Sequence, residues 1–263
     1  MCVAILIIIK GNGMKTIYNQ LTTLGLSGIK DALALQTEQP AHYRELTFEE
    51  RLSLLLDNEL NARSQRKIMR LTRQAKFRVQ AGIEQLDYRA KRNLNKSQIR
   101  TLAQGDWLRL HQNILITGAT GCGKTYLACA FGHQHCQQGK SVFYFRLKEL
   151  LEKMFFAQAD GTYRKLIGKL TNADLLILDD WGLEPLNAQQ RSDLLELIDA
   201  RYDSKSTLIA SQLPQEHWYK MIGESTHADA ILDRLVHGSI KIELEGESMR
   251  KMTNSLTDGD HSV

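Results

Sequence analysis

Gly118-Ala119-Thr120-Gly121-Cys122-Gly123-Lys124-Thr125-Tyr126 has the residue types and spacing that grip a polyphosphate: a glycine, four residues, then Gly-Lys-Thr. Backbone N–H groups close around a phosphate only where side chains are absent, and Gly118, Gly121 and Gly123 leave that room. A helix starting beside Lys124 aims the positive end of its dipole at the same point. Lys124 adds a charge at the β- and γ-phosphates, and the Thr125 hydroxyl is a ligand for Mg²⁺. The apolar run Ile114-Leu115-Ile116 supplies the strand that such a loop must leave. Strand, loop and helix follow in the required order. The stretch predicts an ATP site.

A pair of acids is the second chemical feature. Leu175-Leu176-Ile177-Leu178 reads as a buried strand and runs into Asp179-Asp180. Asp179, at the carboxyl end of a strand beside the phosphate loop, can hold Mg²⁺ through its water shell. Asp180 is placed to polarise an attacking water as a general base. Ser211-Gln212 ends the next strand at the same edge and reads either as a γ-phosphate sensor or as a turn before Pro214. Arg234, within the helical stretch Ile231-Leu232-Asp233-Arg234-Leu235, also has two readings. It is a surface ion pair with Asp233 or a nearby acid, or it acts in trans on a neighbour's nucleotide. Catalysis is expected from Asp180, Lys124 and Arg234.

The front of the chain carries a different signal. Residues 1–100 hold 17 lysines and arginines against 9 acids, and the remainder holds 17 against 21, so a net charge of +4 hides a basic front half. Such asymmetry suggests that this half meets a polyanion. Arg63, Arg66, Lys67, Arg70 and Arg73 step by three and four along one helix face, and Lys76 and Arg78 follow. No acid lies between Glu59 and Glu84, whereas a solvated helix face ordinarily mixes signs. These seven cations are predicted to contact the phosphate backbone of double-stranded DNA, largely without sequence preference.

These groups need elements to hold them. Two short helices with a break near residues 25–28 are predicted first, and Thr47-Phe48-Glu49-Glu50 is a capping box that opens the basic helix. Asn95 caps a further helix over Ile99, Leu102 and Ala103, and Trp107 behind it reads equally as a core residue or as a platform near adenine. Strands predicted at 141–145, 175–178, 206–210 and 239–244 alternate with helices at 126–138, 147–156, 163–170, 188–202 and 231–237. Such alternation gives an α/β fold, a parallel sheet with helices on both faces.

The domain reading is a leader over residues 1–13, a helical basic domain over 14–94, an ATPase domain over 95–252 and a disordered tail over 253–263. The apolar run at 3–9 is too short to cross a bilayer and lacks the flanks of a signal peptide, so Met14 reads as the natural start. Cys2, Cys122, Cys129 and Cys136 without a secretory signal point to a reducing cytoplasm. Cys129, His133, His135 and Cys136 read as helix packing rather than a metal site, because no second ligand pair follows at the needed spacing.

Residues 59–78 and 118–127, Asp179-Asp180-Trp181-Gly182, Arg201-Tyr202, Ser211-Gln212-Leu213-Pro214, residues 231–235 and Gly246-Glu247-Ser248-Met249-Arg250 together carry a resemblance. The chain resembles the IstB-like ATP-binding proteins of bacterial insertion sequences, relatives of the DnaC-type helicase loaders among the AAA+ ATPases, from Met14 to about Met252. The resemblance implies a three-layer αβα phosphate-loop core with five parallel strands in the order 5-1-4-3-2, behind a small all-helical domain. By it, Arg234 matches a trans-acting arginine finger, Ser211-Gln212 the first sensor and Arg250 a second-sensor arginine.

The role implied is an ATP-dependent, DNA-binding transposition helper. It assembles as a homo-oligomer through ATP-bearing interfaces, touches no membrane, and recruits or stimulates a cognate transposase. A DnaC-like helicase loader is the alternative; a metabolic phosphate-loop kinase fits neither the basic front half nor Arg234. Two departures matter. Many relatives have Asp-Glu where this chain has Asp179-Asp180, and the shorter side chain predicts slow hydrolysis. Only about twenty residues follow the last predicted strand, so the lid domain is expected to be minimal or absent and nucleotide binding to depend on assembly.

Overall fold

The computed structural model describes residues 2–88, 92–223, 225–246 and 248–249, and the chain divides into two compact units, Met1–Met69 and Arg70–Val263. The first unit is helical. It holds α1 (Cys2–Thr23), α2 (Ser27–Glu38), a 3-10 turn at Pro40–Tyr43 and the first part of α3 (Phe48–Ala75). The capping box at the head of α3 is formed. Thr47 N–H donates to Glu50 Oε2 at 2.7 Å, and Glu50 N–H to Thr47 Oγ1 at 3.2 Å.

Glu59 organises this unit. Its buried carboxylate accepts the Gly28 and Ile29 N–H groups at 2.7 and 3.3 Å, donors in the first turn of α2 that have no partner within their own helix. Arg63 Nε and Arg66 Nη2 donate to its other oxygen at 2.7 and 3.1 Å, and Arg66 also reaches the Ser27 hydroxyl. The Arg63 hydrogen bond, joined by those of Gly28 and Ile29, holds the Glu59 carboxyl below its ordinary value against the opposing pull of burial.

The second unit begins with the end of α3 and a 3-10 turn at Ile83–Gln85. It continues through α4 (Lys96–Gln104), α5 (Asp106–Arg109), β1 (Ile114–Gly118), α6 (Lys124–Gln137), β2 (Val142–Arg146) and α7 (Leu147–Ala159). Then come α8 (Tyr163–Thr171), β3 (Leu175–Trp181), α9 (Ala188–Arg201), β4 (Ser206–Ser211), α10 (Trp218–Ile222), α11 (Ser225–Val236) and β5 (Ile240–Leu244). All strand pairings are parallel and the sheet order is β2-β3-β4-β1-β5, the expected 5-1-4-3-2 read from the other edge.

Both faces of this sheet are covered, which is why its central strands are unbroken apolar runs. Ile114, Ile116, Leu175 and Ile177 pack with Leu127 and Phe131 of α6 on one side. Leu115, Leu176, Leu178 and Ile209 pack with Leu150, Met154, Leu194 and Leu197 on the other. Trp107 is a core residue: it is buried, and its Nε1 donates to Leu102 O at 2.9 Å. Cys129 and Cys136 are buried too, with thiols pushed up to about 11 by burial, and the His133 ring lies 4.2 Å from that of Phe77. Among the described residues no group of three or more potential metal ligands occurs, and no helix is long and apolar enough to cross a membrane.

Two features lie beyond periodicity. β3 is longer than the apolar run that marks it, because a register irregularity between Leu178 and Trp181 lets pairing with β4 resume at Trp181 and Ser211. Arg201 is buried at the end of α9 and donates to Leu170 O at 2.5 Å, to Ala173 O at 3.0 Å and to Ser206 O. Burial draws its pKa down to about 9, which leaves it charged at neutral pH and able to hold carbonyls at the end of α8.

Candidate active site

The phosphate loop is shaped by contacts at both of its ends. Gly118 closes β1 with φ +147°, and an added Cβ there would lie 2.1 Å from the Leu244 carbonyl at the end of neighbouring β5. Only glycine fits that passage. Lys124 then opens α6. It is buried, and its ammonium donates to Gly118 O and Ala119 O at 2.7 Å each. Burial lowers its pKa, while Cys122, Asp179 and Asp180 pull it back up. A lysine folded onto two carbonyls of its own loop can exchange them for phosphate oxygens at little geometric cost.

Asp179 lies opposite, 1% exposed at the end of β3. Its Oδ2 accepts the Thr125 hydroxyl and the Tyr144 hydroxyl at 2.7 Å each, and its Oδ1 accepts the Asp180 N–H at 2.9 Å. Burial, reinforced by Asp179, pushes the Tyr144 phenol far above its ordinary value, so it serves as a fixed donor. Tyr144 has no motif to announce it; the register of β2 against β3 brings it there. Thr125 and Asp179 offer hard oxygen ligands side by side, the donor set suited to Mg²⁺. Asp180 follows on the irregular part of β3 with φ +55°, a left-handed conformation that aspartate and asparagine adopt more readily than most residues with a side chain.

The loop lines a cavity of 630 Å³. Arg78, Arg92, Lys124 and Arg146 bring four cations to it, and Val79 and Leu86 give an apolar wall, a composition that fits a nucleoside triphosphate. Arg78 is among the expected DNA contacts and residues 83–92 read as a polar transition, since nothing in the spacing of Arg78, Leu86 or Arg92 shows that they face the loop. Arg92 is buried there and donates from Nη1 to Cys122 O at 3.3 Å and from Nη2 to Asp87 O.

The remaining predicted residues are distributed as follows. Gln212 lines the cavity and accepts the Thr120 hydroxyl at 2.6 Å. Ser211 is buried: its hydroxyl lies 2.9 Å from Trp181 O and accepts the Leu213 N–H and Trp218 Nε1–H at 3.0 and 3.2 Å, shaping the turn after β4. Arg234 Nε donates to Asp199 at 2.7 Å, and its guanidinium lies 5.9 Å from the centre of the Tyr202 ring. Arg250 lies outside the described residues, but Met249 just before it lines the cavity and donates its N–H to Gly121 O at 3.0 Å. All seven cations are exposed on or just after α3, but Arg63 and Arg66 are engaged by Glu59 and Arg78 lines the cavity beside the loop.

Residues 19–257 match the family model described as IstB-like ATP binding protein. The chain belongs to that family. This IstB-like chain is 45% identical over 233 residues to the insertion sequence ATP-binding protein y4pL of Sinorhizobium fredii, covering 89% of this chain and 95% of the relative. Among solved structures it is similar to AMPPCP-bound DnaA from Aquifex aeolicus, with a TM-score of 0.57 and 18% identity over 72% of this chain and 58% of that one. It is also similar to the DnaC helicase loader, with a TM-score of 0.52 and 19% identity over 62% of this chain and 96% of that one. At such identities the likeness is one of fold. The IstB-like chain is an ATPase.

Proposed function

We propose that this IstB-like ATPase is a transposition helper that assembles on double-stranded DNA with ATP and recruits or stimulates its cognate transposase. Lys124 would meet the β- and γ-phosphates of a triphosphate laid along the loop, and Thr125 with Asp179, the latter through water, would hold Mg²⁺. Asp180 orients the attacking water, and Arg234 of a neighbouring copy neutralises charge that builds at the γ-phosphate. Lys67, Arg70, Arg73 and Lys76 hold the DNA backbone with little regard to sequence. Aspartate at position 180 reaches less far than glutamate, so hydrolysis is slow and times the release of the assembly.

One observation carries this reading. The insertion sequence relative aligns with 89% of this chain and 95% of its own length, so the regions that carry the basic helix and the ATP site here both align with a protein named for an insertion sequence. The helicase loader, the rival reading, aligns with 62% of this chain. Electron microscopy of the protein with duplex DNA, with and without ATP, tests the proposal, with Lys124→Ala as the control. Assemblies that need both ATP and Lys124 support it. ATP-independent capture of a replicative helicase without any DNA complex would overturn it.

A further inference from the structure

Arg78 ends the basic run that starts at Arg63, yet its guanidinium lies in the nucleotide cavity, with Nη1 3.7 Å from Asp180 Oδ2. Arg146, at the end of β2, brings its Nε to 3.3 Å from the same oxygen. Two guanidinium groups thus converge on the carboxylate that is to direct the water. Asp180 is only partly exposed, at 25%, so these pairs are screened less than pairs at an open surface.

Packing explains how Arg78 gets there. α3 ends at Ala75, and Lys76 turns the chain with φ +57°. Phe77 then seats against α6 at Gly132, where an added Cβ would lie 2.3 Å from the Phe77 ring. His133 packs on that ring, its Nε2 3.4 Å from Val79 O. Residues on both sides of Arg78 are therefore held to α6, the helix that begins with Lys124. Asp180 is held as firmly, by the irregular register of β3 and by its N–H bond to Asp179. The Arg78 side chain is 37% exposed, but the backbone on either side of it is anchored.

A carboxylate oxygen engaged by two guanidinium groups is not free to orient a water. The terminal phosphate of ATP offers more charge and more oxygens than the carboxylate and competes for the same guanidinium groups. We propose that Arg78 is a γ-phosphate ligand supplied in cis: with Arg146 it holds Asp180 until ATP enters, then moves to the γ-phosphate oxygens and frees the carboxylate for the attacking water. The proposal rests on the ATP site and takes Arg78 out of the DNA-contacting set.

ADP lacks the group that Arg78 would bind, and this supplies the test. In full-length Arg78→Ala, affinity for a non-hydrolysable ATP analogue is expected to fall about tenfold and kcat to fall with it, with ADP affinity unchanged and Arg78→Lys recovering part of the loss. The salt dependence of DNA binding should match the parent chain. Arg78→Gln, which keeps most of the side chain's bulk but not its charge, should give the same split between analogue and ADP, which keeps the idea testable if Arg78→Ala folds poorly. Equal weakening of ADP and analogue would make Arg78 a mere wall of the cavity and overturn the proposal. An unchanged analogue affinity with a shallower salt slope would return Arg78 to the DNA surface.

Discussion

Lys124 and Arg234 stand at opposite ends of one strand. Lys124 donates to Gly118 O, the last residue of β1, whereas the Arg234 carbonyl accepts from Asn113, the residue just before β1. Five residues of strand span roughly 16 Å. Arg234 therefore cannot serve the phosphates over its own loop, and its bond to Asp199 keeps it at the edge of the fold, with its side chain 30% exposed.

Arg234→Ala is expected to leave nucleotide binding intact and to lower hydrolysis in the assembly by about a thousandfold. Asp199→Ala removes the ion pair but spares the guanidinium, so turnover should persist. Paired turnover and nucleotide-binding measurements check both. Full activity in Arg234→Ala would reduce the arginine to its contact with Asp199.

Asp180→Asn should bind ATP and keep its melting temperature, because asparagine tolerates the left-handed backbone that Asp180 adopts at φ +55°. Turnover should fall by about a hundredfold or more. Single-turnover hydrolysis beside thermal unfolding checks this. A variant that loses stability as well would mean that the charge also supports the fold.

Charge reversal at Arg70 and Arg73 is expected to weaken DNA binding uniformly across sequences and to lower the salt slope by about one for each phosphate no longer neutralised. Reversal at Arg63 and Arg66 should instead unsettle the helical unit, because both arginines bind buried Glu59. Titrations at several salt concentrations, each with a melt, separate the two. An unchanged slope after reversal at 70 and 73 would move the DNA surface elsewhere.

Glu59 also gives a pH prediction. Its carboxyl is held below the ordinary value of 4.5, first by Arg63. The folded chain therefore releases this proton more readily than the unfolded one. The stabilisation is full above that ordinary value and is lost as pH falls through the lower folded one. Glu59→Gln should melt earlier at neutral pH and show a flatter acid limb by far-UV circular dichroism. An acid limb identical to the parent's would show that other carboxylates govern it.

Much of the fold was legible because its signals are local. The phosphate loop needs glycines at fixed spacing, and buried strands such as Leu175–Leu178 need unbroken apolar runs. The capping box at Thr47 needs only residues three apart. What escaped notice depends on partners remote in the chain. The run without acids from 60 to 83 looked uniformly free to bind DNA, yet Glu59 lies just outside it and takes two of its arginines. Tyr144 reads as an ordinary strand residue until β2 pairs with β3. α10 spans five residues, fewer than two helical turns, which is too short for periodicity to declare.

The parallel sheet gives the subunit a direction, with the nucleotide cup at the carboxyl edge and Arg234, the proposed plug, at the amino edge. Copies joined cup to plug add head to tail, and such contacts close into rings or run on as helices. If Arg234 is the plug, an open row always has one cup without a plug, whereas a closed ring has none. Hydrolysis per subunit would then rise with the length of an open row but stay constant for a ring, so turnover measured against assembly size would reveal which one forms.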